Sequence, residues 1–210
     1  MIVRQYGVIY HRVGPKDLET LRYWRNQEFI RNTMQFKEYI TPGMQQAWFE
    51  KINNKFNYYF IIEHEGKKIG LINCKDTEPD TRVAEGGIFI WEKSYWGTPV
   101  PALASLTLLQ AVFEVFKTGE ASIATVACDN KRALEFNLML GYRIKDTTPD
   151  GQYYKLILTR ERYDSHCRKL IRAAAILHKD DAEFKVSGAP SPTQVDEINQ
   201  HMLSGGSENT

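Results

Sequence analysis

Aromatic and arginine side chains in the N-terminal part of the chain have the chemistry to bind a planar ligand that carries phosphate. The set comprises Trp24, Arg25, Asn26, Arg31, Trp48 and Tyr59. Aromatic faces stack on planar rings and guanidinium groups make charge-assisted hydrogen bonds to phosphate, which together suit a sugar nucleotide. The alternative is packing, because Trp24 and Trp48 lie on apolar faces of predicted helices, and such rings are more often part of a core.

Metal and disulfide chemistry are disfavoured by the spacing of the cysteines and histidines. Cys74, Cys128 and Cys167 are far apart and form no CxxC pair. The histidines are dispersed as well: His11, His64, His166, His178 and His201. A structural zinc site needs clustered ligands, so we expect no metal. Few, unpaired cysteines are typical of a reducing compartment, and we expect a cytoplasmic protein.

Length, composition and charge limit the class of protein and of partner. A chain of 210 residues, 42% hydrophobic and 25% charged, is typical of one globular domain with at most an appendage. The 27 basic and 26 acidic residues give a net charge of +1, so no overall field attracts nucleic acid or an anionic membrane. No window reaches the roughly 18 to 20 apolar residues of a membrane span. We expect neither nucleic acid nor membrane as a partner.

Hydrophobic periodicity and turn residues predict an α/β chain. The predicted order, βααβββαβαββ, consists of a strand at 8–13, helices at 17–26 and 41–52, strands at 58–64, 68–75 and 83–91, a helix at 99–117, a strand at 121–128, a helix after residue 130, and strands at 142–145 and 153–159. Thr41 and Asn130 are typical helix N-caps, and Gly141 is a typical helix stop. Glu65-Gly66 predicts a hairpin turn. Such alternation predicts one mixed sheet with helices around it.

The C-terminal part of the chain differs in composition from the rest. Residues 161–178 carry apolar side chains at helical spacing and predict a further helix. From 179 to 210 large apolar residues are few and Gly, Ser and Pro cluster, which predicts a flexible polar tail. We therefore divide the chain into a domain over 1–160, a helix over 161–178 and a tail over 179–210.

Two stretches of the sequence resemble the GNAT superfamily of acyl-CoA N-acyltransferases. Residues 130–142, which read NKRALEFNLMLGY, resemble its Asn-x-x-Ala-x-x-x-Tyr-x-x-x-Gly-Phe signature. Residues 21–26, LRYWRN, followed by Arg31, Met34 and QAWF at 46–49, resemble the branch that contains ribosomal-protein and amino-sugar N-acetyltransferases. The resemblance spans about residues 8–160. It implies an α/β fold with a GNAT-like mixed central β-sheet flanked by helices, to which this chain adds a C-terminal helix and a polar tail.

The resemblance also implies acetyl-CoA as co-substrate, with its pantetheine arm between two strands that splay apart, 83–91 and 121–128. The implied contacts are Phe89, Ile90 and Trp91 on the first strand, Trp96, Gly97, Thr98, Val100 and Ala102 in a phosphate-binding loop, and Asn130 and Arg132 at the next helix start. Asn130 can also be interpreted as a helix N-cap. The alternative interpretation of Arg132 is a solvated surface arginine.

The phosphate-binding loop departs from the pattern of the family. Members hold the pyrophosphate on successive backbone N–H groups of a Gln/Arg-x-x-Gly-x-Gly/Ala loop at a helix start, whereas this chain has Pro99 and Pro101, which each lack a donor. Prolines fit the first turn of a helix, so the remaining amides can form a weaker site. The alternative is a loop that no longer binds coenzyme A, in a domain that serves as a binding or assembly module.

Two residues are implied at the chemical step. Glu85 resembles the acid on the corresponding strand of this branch and is the candidate base for the amine; the alternative is a solvated strand carboxylate. Asn137 stands where many members place a tyrosine near the sulfur. An amide donates a hydrogen bond to a thiolate or carbonyl but is no general acid.

We therefore expect an acetyl-CoA-dependent N-acetyltransferase that acts on a small-molecule primary amine. By resemblance, the acceptor amine belongs to a nucleotide-linked amino sugar, and a protein or peptide N-terminus is the alternative. The aromatic and arginine set described first would then line the acceptor side. A homodimer is left open.

Overall fold

A nine-stranded mixed β-sheet organises the residues that the computed structural model describes, which are 1–54, 56–75, 81–115 and 119–188. The sheet order is β7-β8-β6-β5-β4-β3-β2-β1-β9. Its strands are β1 (Ile2–Gln5), β2 (Val8–Arg12), β3 (Tyr58–His64), β4 (Lys67–Lys75), β5 (Val83–Ile90), β6 (Ala121–Ala127), β7 (Arg143–Thr147), β8 (Tyr153–Thr159) and β9 (Lys185–Ser187). The expected mixed central sheet is confirmed.

Helices cover both faces of this sheet. They are α1 (Leu18–Asn26), α2 (Glu28–Arg31), α3 (Pro42–Ile52), α4 (Val100–Gln110), α5 (Lys131–Met139), α6 (Arg160–Arg162) and α7 (Arg168–His178). Successive β3 residues alternate between two cores, because strand side chains point to opposite faces in turn. Ile61 packs with Leu21 and Phe49 of α1 and α3. Its neighbour Ile62 packs on the other side, in the core that contains α4.

Two tight hairpins have the same turn geometry. Glu65 and Gly66 join β3 to β4 with φ of 52° and 77°, so the hairpin expected there is confirmed. Tyr6 and Gly7 join β1 to β2 with φ of 55° and 71°. Two-residue hairpin loops favour positive φ at both positions because that twist matches the flanking strands. The sequence pattern does not predict the hairpin between β1 and β2, and it therefore misses β1. Tyrosine is an unusual residue at a position with positive φ, such as that of Tyr6.

Strands β5 and β6 pair over only part of their length, so the sheet opens between them. They are parallel and in register from Val83–Glu85 against Ala121–Ile123. Beyond Glu85, β5 pairs with β4 alone through Ile90, while β6 pairs with β8 alone through Ala127. The sheet therefore opens between residues 86–90 and 124–127.

The C-terminal region contains more structure than the sequence pattern predicts. The predicted helix over 161–178 consists of α6, a π-helical turn (Tyr163–Cys167) and α7. Strand β9 then pairs antiparallel with β1, although 179–210 is expected to be a polar tail. Residues 189–210, and 116–118 at the end of the predicted helix over 99–117, lie outside the described residues.

Candidate active site

A groove of about 310 Å³ lies where β5 and β6 separate. One wall is β5 from Glu85 to Phe89, and the other is β6 from Ala124 to Ala127. Helices α4 and α5 close it; Ser105 of α4, Asn137 of α5 and Asn130, the N-cap of α5, contribute to the lining. The groove is lined by both apolar and polar side chains, which suits a linear ligand that carries amide groups.

Two consecutive glycines let the groove approach the backbone of β5 closely. A Cβ atom at Gly87 would lie 2.9 Å from Asn73 Oδ1, and one at Gly86 would lie 3.3 Å from Tyr142 Oη. A side chain at Gly87 would therefore collide with the amide of Asn73. Glycine at this position leaves room for that amide and for a ligand beside the strand.

A buried hydroxyl pair forms the floor of the groove. Tyr142 Oη and Ser122 Oγ lie 2.7 Å apart, and both residues are buried. Burial raises the pKa of the Tyr142 phenol, so the phenol is neutral at physiological pH. Tyr142 therefore belongs to the core and also contacts the groove.

Both candidate catalytic residues line this groove. Glu85 Oε2 lies 3.0 Å from Lys75 Nζ on the neighbouring strand, and both side chains are partly exposed. Asn137 donates one amide N–H to Ala133 O at 2.8 Å, which leaves its second N–H for a ligand. Asn130 Oδ1 accepts from Ala133 N at 3.0 Å, so its capping role is confirmed at the edge of the groove.

The start of α4 retains some, but not all, of the donors expected in a phosphate-binding loop. Thr98 does not contribute, because its amide and hydroxyl both donate to Tyr95 O, at 3.2 and 2.9 Å. The amides of Gly97, Val100 and Ala102 have no partner within the described residues. These three donors fit an anion at the N-terminus of α4.

Aromatic rings and cations surround this loop. The Arg132 guanidinium lies over the Trp96 ring, 4.7 Å from its centroid. Lys93 Nζ lies 4.5 Å from the centroid of Phe29 and 5.9 Å from that of Trp96. The two cations add positive charge beside the three free amides.

A second cavity, of about 390 Å³, lies on the α1 and α3 side of the sheet, and we call it the acceptor-side cavity. It is lined by Leu21, Arg25, Met34, Phe36, Ile40, Met44, Gln45, Trp48, Tyr59, Leu71, Asn73, Lys75 and Phe89. Four of these residues also line the groove, namely Met34, Asn73, Lys75 and Phe89. The two cavities therefore meet at these four residues, which we call the junction.

Polar side chains form part of the lining of the acceptor-side cavity, and none of its described lining residues is acidic. Arg25 Nη1 is buried without a hydrogen-bond partner, while the guanidinium lies 5.8 Å from the centroid of Phe89. Burial lowers the pKa of Arg25 from its usual range. Gln45 and Asn73 are buried as well. Each of these groups can bind a polar group of a ligand.

Several residues expected at the site have other roles. The Trp91 ring is 4% exposed, its Nε1 donates to Lys68 O at 2.9 Å, and it stacks on Trp24 at 5.7 Å. Trp91 therefore belongs to the core and Trp24 packs against that core, as the packing alternative for Trp24 predicts. Asn26 clamps the chain by exchanging two hydrogen bonds with the backbone of Ile40.

Other expected residues divide between the site and the remainder of the fold. Arg31 and Ile90 line neither cavity. Arg25, Trp48 and Tyr59 do line the acceptor-side cavity. The sequence pattern misses Gln45, Asn73 and Lys75. A signal existed for Asn73, which is a polar residue inside the apolar run of β4.

A comparison with known protein families identifies the family to which this chain belongs. The model of the acetyltransferase (GNAT) domain matches residues 8–143. The chain therefore belongs to the GNAT acetyltransferase family. Membership of this acetyltransferase family and the mixed α/β fold with a central sheet, both expected from the sequence, are confirmed. No curated protein matches the sequence directly.

Solved structures similar to this chain include two kinds of amine acetyltransferase. One is spermidine N-acetyltransferase from Vibrio cholerae in complex with CoA and spermine, 16% identical, with a TM-score of 0.63 over 75% of this chain and 98% of that chain. Another is aminoglycoside acetyltransferase AAC(6')-Ib with ribostamycin and coenzyme A, 18% identical, with a TM-score of 0.65 over 75% of this chain and 96% of that chain. A domain from Methanocaldococcus jannaschii is 20% identical, with a TM-score of 0.61 over 72% of this chain and 97% of that chain. At these identities the likeness concerns the fold.

The residues that the structure describes contain no group of three or more His, Cys, Asp or Glu side chains that could hold a metal ion. In the same ranges, no helix has the length and apolar character that crossing a membrane requires.

Proposed function

We propose that this protein transfers an acetyl group from acetyl-CoA to a primary amine of a small molecule. The groove between β5 and β6 would hold the pantetheine arm, and the acceptor-side cavity would hold the amine. The observation that carries the proposal is the junction, where two cavities on different sides of the sheet share Met34, Asn73, Lys75 and Phe89. Acyl transfer needs such a meeting point, because the reacting atoms must approach to about 3 to 3.5 Å.

The chain provides groups for each requirement of the reaction. Glu85 lines the groove within 3.0 Å of the junction residue Lys75, so we assign it the acceptance of the amine proton. Asn137 has one amide N–H left to stabilise charge on the sulfur or carbonyl oxygen. Tyr142 lies in the same groove with a neutral phenol, although Ser122 competes for its proton.

The phosphates of the co-substrate would lie at the start of α4. Gly97, Val100 and Ala102 would donate their free amides to the pyrophosphate. Arg132 would add positive charge, and Trp96 would offer a ring face. Loss of two donors at Pro99 and Pro101 predicts weaker binding than a loop with a full set of amides would give.

For the acceptor we propose a nucleotide-linked amino sugar. The acceptor-side cavity offers the Arg25 cation to a phosphate and the Trp48 and Tyr59 rings, 5.1 Å apart, to a planar or sugar ring. Spermine and ribostamycin, the amines bound in the similar structures, carry several positive charges. A cavity that contains cations and no described acid would repel such amines. A peptide N-terminus is the second candidate acceptor.

Thermal unfolding with and without acetyl-CoA tests the donor half of the proposal. A ligand at about 100 times its Kd stabilises a protein by roughly 2.7 kcal/mol, so the melting temperature should rise clearly. An unchanged melting temperature at millimolar acetyl-CoA would refute the hypothesis that the protein is an acetyltransferase. It would favour the alternative, a GNAT-like binding or assembly module.

Release of free CoA thiol with a panel of amines tests the acceptor half. We expect turnover with a nucleotide-linked amino sugar, and little with spermidine at the same concentration. Glu85→Gln should lower this turnover while the melting shift produced by acetyl-CoA is retained. Preference for spermidine would contradict the proposed acceptor class while leaving acetyl transfer intact.

A further inference from the structure

Lys75 places a primary amine of the protein itself at the junction. It is the last residue of β4, and its side chain lines both the groove and the acceptor-side cavity. Of the four junction residues, the other three are Met34, Asn73 and Phe89, which have no amine. The Lys75 ammonium therefore lies where the proposed reaction requires the ammonium group of an acceptor.

The same lysine is paired with the candidate base. Its Nζ lies 3.0 Å from Glu85 Oε2, and the pair is about one-quarter to one-third exposed. A carboxylate at hydrogen-bond distance holds the ammonium in place and can also accept its proton during attack on a carbonyl. Holding a nucleophile beside its base in this way is the arrangement that favours acyl transfer.

We infer that Lys75 is a self-acetylation site of this enzyme, modified when acetyl-CoA is bound and no acceptor fills the neighbouring cavity. The inference rests on the proposed function, because it uses the same donor and base. Glu85 takes one proton from the ammonium, and the neutral Nζ attacks the thioester carbonyl carbon. An N–C bond forms and the C–S bond breaks; the second nitrogen proton passes to the sulfur to give free CoA thiol. Glu85 returns the first proton to water.

The product would differ from the unmodified protein in charge at the junction. Acetylation converts the Lys75 ammonium to a neutral amide and removes the positive partner of Glu85. An acceptor already bound in the acceptor-side cavity would occupy the junction and protect Lys75.

Peptide mass spectrometry after incubation of the full chain with acetyl-CoA alone tests this inference. We expect one acetyl group to accumulate on Lys75 faster than on any other lysine. Lys67 is the matched comparison, because it also forms an ion pair with a glutamate, Glu92, but lies outside both cavities. Acetylation of Lys75 no faster than of Lys67 would overturn the inference as ordinary chemical acetylation of surface amines.

Two variants separate failure of this inference from failure of the proposed function. Glu85→Gln should slow acetylation of Lys75 at least tenfold and leave that of Lys67 unchanged; equal rates in both proteins would overturn the role of the pair. Lys75→Arg keeps the positive charge and should end the site-specific signal. If acetyl-CoA raises the melting temperature while Lys75 stays unmodified, the inference fails and the donor site stands. If no melting shift occurs, both fail.

Discussion

At the scale of single residues, the acceptor-side cavity is marked by polar side chains buried in its lining, one of which has an atom without a hydrogen-bond partner. Arg25 has a fully buried and unbonded Nη1, and Gln45 and Asn73 are buried in the same lining. An unmade hydrogen bond of a buried group costs about 1 to 3 kcal/mol, and more for a charged one. The unpaired Nη1 of Arg25 is therefore the group from which we expect the strongest polar contact with an acceptor.

Arg25→Gln should weaken binding of an anionic acceptor and leave the co-substrate site intact. A hydrogen bond to a charged group contributes about 1.5 to 3 kcal/mol, so KM for a nucleotide-linked amino sugar should rise by roughly 10-fold to 150-fold with a smaller change in kcat. Steady-state kinetics measure the split, and the melting shift with acetyl-CoA should be unchanged.

Arg31→Gln provides the matched control for this substitution. Arg31 lies on the adjacent α2 and lines neither cavity. The KM of the Arg31→Gln variant for the same amino sugar should therefore stay within about twofold of that of the unmodified protein. Equal effects at both positions would contradict the assignment of Arg25 to the acceptor.

Residue types can be read from the sequence more easily than the direction in which each side chain points. The WRN stretch predicts a ligand site, yet only Arg25 lines the acceptor-side cavity; Trp24 packs on Trp91 and Asn26 binds the backbone of Ile40. Helical spacing separates faces, but it does not tell which cavity a half-buried face borders. Asn73 could be found only as a polar exception in an apolar strand.

At the scale of elements, the start of α4 is the least typical part of the site. A helix start normally leaves its first amides free, and α4 has proline at its second position. Pro101 therefore removes one of the donors that would face the pyrophosphate. The sequence pattern predicts this departure and the position of the helix. It does not predict that Thr98 uses both its donors on Tyr95 O.

Pro101→Ala should restore an N–H at this helix start and tighten binding of acetyl-CoA. A net hydrogen bond contributes about 0.5 to 1.5 kcal/mol, so Kd should fall by roughly 2-fold to 10-fold. Calorimetric titration of acetyl-CoA into the purified protein measures the change.

Pro42→Ala is the control, because Pro42 also lies in the first turn of a helix but outside both cavities. Its Kd for acetyl-CoA should match that of the unmodified protein. If the Pro101 variant binds acetyl-CoA no more tightly, the pyrophosphate does not lie on the α4 amides.

At the scale of the whole molecule, three buried tyrosines connect different parts of the fold. Tyr10 on β2 contacts Thr107 of α4, Tyr142 contacts Ser122 of β6, and Tyr163 stacks on Phe113 at 4.4 Å. Burial raises the pKa of all three phenols above the ordinary value of 10.0, and the Glu114 carboxylate adds to the effect at Tyr163. The stability of the fold should therefore depend on pH in the same direction at three places: the N-terminal hairpin, the central strands and the C-terminal helical segment.

Stability should consequently fall steeply above about pH 10. Where the folded pKa exceeds the unfolded one, the unfolded chain loses its proton first, so the free energy of unfolding decreases with rising pH. The full contribution is present below the unfolded pKa and is lost as pH rises towards the folded values. Each buried phenol removes about 1.4 kcal/mol per pH unit in that window, and three together remove roughly 4 kcal/mol per unit. Urea unfolding followed between about pH 9 and about pH 11 measures this slope.

Tyr142→Phe isolates the contribution of one phenol to the pH dependence of stability. The quantity to compare is the slope of the free energy of unfolding against pH, because the substitution also lowers stability at every pH. The variant leaves the Ser122 hydroxyl without its partner and so is less stable at every pH, but its slope above about pH 10 should be smaller by about 1.4 kcal/mol per unit. Tyr39→Phe is the matched control, because Tyr39 is 59% exposed and its phenol lies at the surface, where it accepts a hydrogen bond from Arg22 Nη1 at 3.4 Å. Comparing the slopes of these proteins cancels the contribution of the residues that they share. An unchanged slope in the Tyr142 variant would contradict the prediction, because it would mean that this phenol ionises without unfolding of the chain.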